Sequence, residues 1–153
     1  MRASPLTISL GAGAESHVTF PAHSFGGPVK ISSTLPVLAS QRVQYYQSFN
    51  EALAQSQASA STSTYFEWFD RASPGMVGDN IHILNAGTTS ATVTISLPGA
   101  SPIVVTANPG VEIYVAFAAG AIGGPVAIIS TQPILAAQRV QYYQSFNEVP
   151  SSA

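Results

Sequence analysis

The stretch QRVQYYQSFNE occurs twice in this chain, as residues 41–51 and again, unchanged, as residues 138–148. The likeness extends upstream: residues 26–51 and 123–148 are identical at 21 of 26 positions, whereas the twenty residues before each share few identities. A repeat is examined first because it sets the units in which a chain folds. The uneven divergence indicates that both copies of the later part meet one physical requirement, so we expect them to make the same contacts.

The repeat divides the chain into an incomplete copy and a complete one. Residues 65–102 have no counterpart in the first copy. Residues 1–51 are therefore predicted to be a C-terminal-type half-unit of about four strands, and residues 65–148 a complete unit of seven strands. Residues 52–64 are uncharged and rich in Ala, Ser, Gln and Thr, which predicts a flexible linker. A short tail, 149–153, follows.

Alternation of apolar and polar residues, bounded by Gly and Pro, runs through both copies and predicts strands. In the half-unit these are LTISL, SHVTF, PVKISS and one long strand through the duplicated stretch. Pro98-Gly99 and Pro109-Gly110 predict type II turns, and NAGTTS (85–90) a hairpin. Helical periodicity is not convincing anywhere. The sequence therefore predicts an all-β fold, an Ig-like antiparallel β-sandwich built from an internal repeat.

A half-unit by itself leaves an apolar face and unpaired strand edges in water. Two arrangements would cover it. It packs on the complete unit to give one larger sandwich, or a neighbouring chain completes it by strand addition or exchange. Both arrangements predict an association-prone surface, and the expected partner is another copy of the chain, in a homo-oligomer or polymer.

The duplicated stretch supplies the candidate interface residues. If it is buried between units, its tyrosines fill the interface and its glutamines hydrogen-bond across it. If it is exposed, the same side chains could stack on a sugar ring and bind its hydroxyls. A duplicated requirement suits a duplicated interface, which favours the first interpretation. The candidates are Gln41, Arg42, Gln44, Tyr45, Tyr46, Gln47 and Phe49, with Gln138, Arg139, Gln141, Tyr142, Tyr143, Gln144 and Phe146.

The segment YFEWFD, residues 65–70, contains the only tryptophan, Trp68. A β-sandwich usually buries such a residue, so Trp68 is predicted to lie in the core on the same strand face as Phe66. An exposed stacking platform is the alternative, and Trp68 joins the candidate residues on that ground.

Charge and motif content argue against several functions. Charged residues are 8% of the chain and the net charge is −2, so no basic surface is available for nucleic acid. No apolar run approaches the roughly 20 residues that span a bilayer. Asp70, Asp79 and Asn80 suit turn capping better than a calcium loop. No metal, cofactor or catalytic motif is recognisable, so we expect no enzyme.

ASPGMVGDNIHILNAGTTSATVTISLPGA, with GGPV and PVLASQRVQYYQSFNE, resembles modules of uncharacterised bacterial secreted or cell-surface repeat proteins. The resemblance covers most of residues 65–148 and again 6–51. It implies an extracellular location and no catalytic residue. Together these features predict a non-enzymatic structural module that packs against copies of itself. A carbohydrate-binding or adhesive module is the alternative.

Overall fold

In the computed structural model, which describes residues 5–152, the chain is all-β, as predicted, and every strand ladder is antiparallel. The strands are β1 (Ser40–Tyr45), β2 (Ser48–Leu53), β3 (Ser61–Phe66), β4 (Phe69–Asp70), β5 (Met76–Asn85), β6 (Ala91–Ser96), β7 (Ile103–Ala107), β8 (Glu112–Val115), β9 (Ile122–Gly123), β10 (Val126–Tyr142) and β11 (Ser145–Pro150). Strands β5 to β8 each contain β-branched residues, which favour strand conformation, and segments containing glycine or proline separate them. A 3₁₀ turn, Gln57–Ser59, precedes β3.

Strand β10, 17 residues long, organises the fold. Along one edge it pairs with β5 and then with β6, and along the other with β11 and then β3. Strands β7 and β8 add outside β6 and β5. The register on β10 shifts between Ile129 and Ile134, around Pro133, which has no N–H to give to a ladder. Strand β10 therefore joins β3, β5, β6 and β11 into one sheet. This sheet encloses one apolar core.

The core is formed by the alternate apolar residues of these strands. Its largest fully buried side chains include Phe69, Ile81, Ile83, Ile95 and Ile128. Phe69 packs edge-to-face on Phe117, with 5.2 Å between ring centroids. The region from β3 to β11 thus has a well-buried interior of its own.

The segment NAGTTS forms a corner, so the predicted hairpin is wrong. Strands β5 and β6 do not pair with each other but follow one another along β10. The corner is held by Asn85, which is fully buried. Its Nδ2 donates to the carbonyl oxygens of Thr89 and Ala107, each at 2.8 Å, and its Oδ1 accepts from the Gly87 N–H at 2.8 Å.

Both predicted proline-glycine turns have the expected geometry. Gly99 and Gly110 have φ values of 80° and 66°, the conformation that a type II turn demands of its third residue. The Ala100 N–H donates to Leu97 O, and the Val111 N–H to Asn108 O, each at 3.1 Å.

Residues 5–38, called the N-terminal segment below, contain no strand, and their side chains are exposed. The predicted strands LTISL, SHVTF and PVKISS are therefore wrong for this chain. The duplicated stretch and the residues after it instead form β1 and β2, a separate two-stranded sheet, so no larger sandwich joins the two copies. Strand β3 begins at Ser61, inside the segment predicted as a linker. Residues 1–4 of the half-unit and residue 153 of the tail lie outside the described residues.

Candidate association site

Both copies of the duplicated stretch fold into the same β-hairpin, and the predicted long strand is interrupted at the same place in each. Hairpin 1 consists of β1 and β2, and hairpin 2 of the end of β10 with β11. Each closes with two residues, Tyr-Gln, and the first has a positive φ, 53° at Tyr46 and 48° at Tyr143. Positive φ at this turn position matches the right-handed twist of the two strands.

The identical sequences make identical contacts within each hairpin. Arg42 and Glu51 are cross-strand partners and form an ion pair at 2.7 Å, and Arg139 and Glu148 repeat it at 2.5 Å. The pKa of Glu51 is lowered, mainly because its carboxylate accepts a hydrogen bond from Arg42. In each hairpin the arginine also lies over a phenylalanine ring, 5.8 Å from the centroid of Phe49 in hairpin 1 and 6.0 Å from that of Phe146 in hairpin 2.

The two adjacent tyrosines of each hairpin pack edge-to-face, with 4.7 Å between ring centroids in both copies. The tyrosine pair, the ion pair and the arginine–phenylalanine contact together involve five of the eleven identical residues. The duplicated sequence therefore meets a requirement inside each hairpin.

The two hairpins also contact each other. Asn50 Nδ2 donates to Asn147 Oδ1, which joins equivalent positions of the two copies. The Tyr45 ring packs edge-to-face on Phe146, with 6.0 Å between centroids, and Gln141 Nε2 lies 3.4 Å from the Tyr45 hydroxyl oxygen. Asn50 and Asn147 were not among the predicted site residues, although their place inside the duplicated stretch was a signal that could have identified them.

The tyrosines are more exposed than the predicted buried interface requires. Tyr46 and Tyr143, at the hairpin tips, are 63% and 62% exposed, and Tyr45 and Tyr142 are also exposed. Within this chain the duplicated stretch is thus a largely exposed hairpin in each copy, and its burial by a further unit stays a prediction. Of the remaining candidates, Gln44, Gln47, Gln144 and Phe49 are also exposed.

The tip of hairpin 2 is fixed to the turn before β5, at Gly75. The Tyr143 N–H donates to Gly75 O at 2.9 Å. Gly75 has a φ of 86°, and a Cβ there would lie 2.3 Å from the Tyr143 ring, so only glycine fits. The Pro-Gly pair at this turn was the sequence signal for this contact, and the prediction did not use it.

Gln138 is buried, whereas its counterpart Gln41 is exposed. Gln138 Nε2 donates to Trp68 O at 2.8 Å and approaches both carboxylate oxygens of Asp79, at 2.8 and 3.0 Å. Asp79 also accepts from the Asp70 N–H at 2.8 Å. The pKa of Asp79 is raised, mainly because burial disfavours the charged carboxylate. This polar cluster fixes the chain between β3 and β4 to β5 and β10.

Trp68 is 56% exposed, so the prediction that it lies in the core is wrong. The chain leaves the strand pattern between β3 and β4, where a Cβ on Gly124 would lie 2.0 Å from Glu67 O. Phe66 and Phe69, three residues apart, are both buried, so the alternation of buried and exposed residues is broken at this place. Trp68 instead lines an open cleft of about 470 Å³ with Tyr65, Asp79, Gln138 and others.

Of the residues predicted to cap a turn, Asp70 does so, whereas Asp79 and Asn80 lie in strand β5. Asp70 Oδ1 accepts from the Ala72 and Ser73 N–H groups at 2.8 and 2.9 Å. The pKa of Asp70 is lowered, mainly because its carboxylate is hydrogen-bonded to the Ser73 side chain. Within residues 5–152 no group of three His, Asp or Glu side chains could hold a metal ion.

No family model, curated protein or solved structure matches this chain. In the described part of the chain, no helix combines the length and the apolar character required to cross a membrane.

Proposed function

We propose that this chain is a non-enzymatic structural module of a bacterial secreted or cell-surface repeat protein, whose units pack against one another through the duplicated hairpin. The observation that carries the proposal is the contact between the two hairpins: equivalent asparagines bonded to each other, and Tyr45 on Phe146. The low charged fraction of 8% supports it as well, because a surface with few charges is repelled only weakly by another copy of itself.

The proposal includes the finer fold. Strands β3 to β11 form one Ig-like sandwich unit, and the chain holds a second, partial copy. The support is that hairpins 1 and 2 share register, turn conformation, ion pair and aromatic contacts. Copies of one sequence unit that keep the same local structure are what a repeat architecture contains. The extracellular location rests on the resemblance of the sequence to secreted repeat modules.

The hairpin contact predicts a measurable coupling between Tyr45 and Phe146. Edge-to-face aromatic pairs contribute about 0.5–1.5 kcal/mol beyond the area they bury. A double-mutant cycle of Tyr45→Ala and Phe146→Ala is therefore expected to give a coupling free energy of that size. Urea unfolding of the full chain, followed by circular dichroism, measures it.

The repeat supplies the control for this cycle. Tyr142 and Phe49 are the equivalent residues with the roles of the copies exchanged, and these described residues make no ring contact with each other. Their cycle should be additive within about 0.3–0.5 kcal/mol. Equal coupling in the two cycles would show that the hairpins do not dock as described.

A second candidate function is carbohydrate binding, which the exposed Trp68 favours. Its ring and that of Tyr65 line the same open cleft, with Glu67 and Asp70 beside them. An aromatic platform rimmed by carboxylates offers a stacking face and acceptors for sugar hydroxyls. The exposed tyrosines of the hairpins provide further stacking faces.

Because Trp68 is the only tryptophan, its fluorescence reports directly on this cleft. If the cleft binds sugars, titration with oligosaccharide fragments of bacterial polysaccharides should change the emission of the full chain. Tyr65→Ala should abolish that change, while Tyr114→Ala, an exposed tyrosine on β8, should leave it intact. Unchanged emission across the fragments would remove this candidate.

A further inference from the structure

The N-terminal segment already has the backbone turns of a folded unit. Gly13, His23 and Gly26 have φ values of 70°, 67° and 129°, and their counterparts Gly110, Gly120 and Gly123 have 66°, 88° and 142°. The turn hydrogen bonds are repeated too. Ala14 N–H to Gly11 O matches Val111 N–H to Asn108 O, and Ser24 N–H to Pro21 O matches Ala121 N–H to Ala118 O, all at 3.1 Å. The segment therefore has the local geometry of β7 to β10 without their ladders.

The missing ladders have a single cause. In the complete unit, β7 pairs with β6, β8 with β5, and the first half of β10 with β6 and β3. The only pairing within residues 103–150 is that of β10 with β11. The corresponding pairing, β1 with β2, is also the only one within residues 5–53. The strands that the N-terminal segment lacks as partners are therefore the equivalents of β3, β5 and β6, which lie within residues 61–96.

The apolar side chains of the N-terminal segment lack the same partners. Ile31 is 56% exposed, whereas its counterpart Ile128 is fully buried. Val29 and Phe20 are likewise exposed, and their counterparts Val126 and Phe117 are buried. In the complete unit the side chains that cover these positions include those of β3, β5 and β6. Unpaired strand edges and an uncovered apolar face thus coincide in one segment.

From this we infer that the N-terminal segment is a docking surface for a polypeptide segment with the strand pattern of residues 61–97, supplied by another repeat unit. Binding would form the ladders with its equivalents of β3, β5 and β6 and would bury the apolar face, which is β-strand complementation. The inference goes beyond the proposed function because it concerns a surface that the hairpin contact does not use.

A second copy of this chain does not meet the requirement. Each chain has two segments that need such a partner, residues 5–53 and 102–150, and one segment, 61–97, that provides it. Exchange between copies leaves as many segments uncovered as before. The occupant is therefore a separate segment of the 61–97 type, and the apolar area that it buries supplies the driving force.

Hydrogen exchange of the full chain tests this directly. A synthetic polypeptide with the sequence of residues 61–101 is added, and exchange is followed by mass spectrometry in peptides from residues 6–38. Amide protection of these peptides is expected with the polypeptide and not without it. A control polypeptide with Val93→Asp and Ile95→Asp, two core positions of β6, should give no protection.

A fused variant keeps the test decisive if the synthetic polypeptide does not stay in solution. Residues 61–101 are placed directly before Pro5, which recreates the Ser101-Pro102 junction of the complete unit because Pro5 corresponds to Pro102. Protection of residues 6–38 is expected in the fusion. Exchange as fast as in the unmodified chain overturns the inference. Protection of the unmodified chain that rises with its own concentration also overturns it, because the occupant would then be a second copy. The Tyr45–Phe146 coupling is unaffected by either result, so the two proposals can fail separately.

Discussion

Ile128→Ala is expected to lower the free energy of unfolding by about 2–5 kcal/mol, the range measured for removing a large aliphatic side chain from a packed core. Ile128 is fully buried near the start of β10, where it pairs with β3 and β6. Alanine would leave a cavity between them. Because the free energy of unfolding of most domains is about 5–15 kcal/mol, the loss should be large in urea unfolding followed by circular dichroism.

Ile31→Ala is the matched control for this substitution. Ile31 is the same residue at the equivalent position of the first copy, but it is exposed and lies in no ladder. Its truncation should change the free energy of unfolding by no more than about 0.5 kcal/mol. A loss at Ile31 comparable to that at Ile128 would mean that the N-terminal segment is already covered in the isolated chain.

Gln138→Ala is expected to lower the free energy of unfolding by about 2–3 kcal/mol, because it leaves a buried carboxylate short of a hydrogen-bond donor. Gln138 is the only side chain among the described residues that donates to Asp79, and it also holds the Trp68 carbonyl. Asp79 would keep only the Asp70 N–H. Chemical unfolding at neutral pH measures the loss.

Gln41→Ala places the same change at the equivalent, exposed position of hairpin 1. No counterpart of Asp79 lies beside it, because that residue belongs to the part of the unit that the first copy lacks. A change within about 0.5 kcal/mol is expected. Equal losses at the two glutamines would contradict the role assigned to the Asp79 cluster.

Gln41 and Gln138 show how far the sequence could predict this structure. Each glutamine is the first of eleven identical residues, and the local structure, a hairpin with one turn conformation, is identical too. Burial differs because it depends on Asp79, 59 residues away along the chain. Alternation and turn residues thus predicted where most strands of the complete unit lie, although the structure has nine strands, β3 to β11, where seven were predicted. The environment of each strand depends on distant partners.

The same distinction explains the errors. The corner at Asn85 was predicted as a hairpin because polar loop residues indicate a reversal of the chain without saying which strand lies next to which. Trp68 was assigned to the core from its residue type, but the alternation breaks between the buried Phe66 and Phe69, and Trp68 is exposed. LTISL, SHVTF and PVKISS have strand patterns, but a pattern forms a strand only where a ladder partner is present.

The short connection between Leu53 and Ser61 has a consequence for how the hairpin contact can act. One aromatic pair and two side-chain hydrogen bonds, each contributing about 0.5–1.5 kcal/mol, barely reach the roughly 4 kcal/mol of a millimolar dissociation constant. Separate molecules at micromolar concentration would not be held together by it. A tether of a few residues raises the effective concentration of one hairpin at the other to the millimolar range. A contact this weak therefore suits neighbouring units of one polypeptide, because the covalent connection keeps the two hairpins close together.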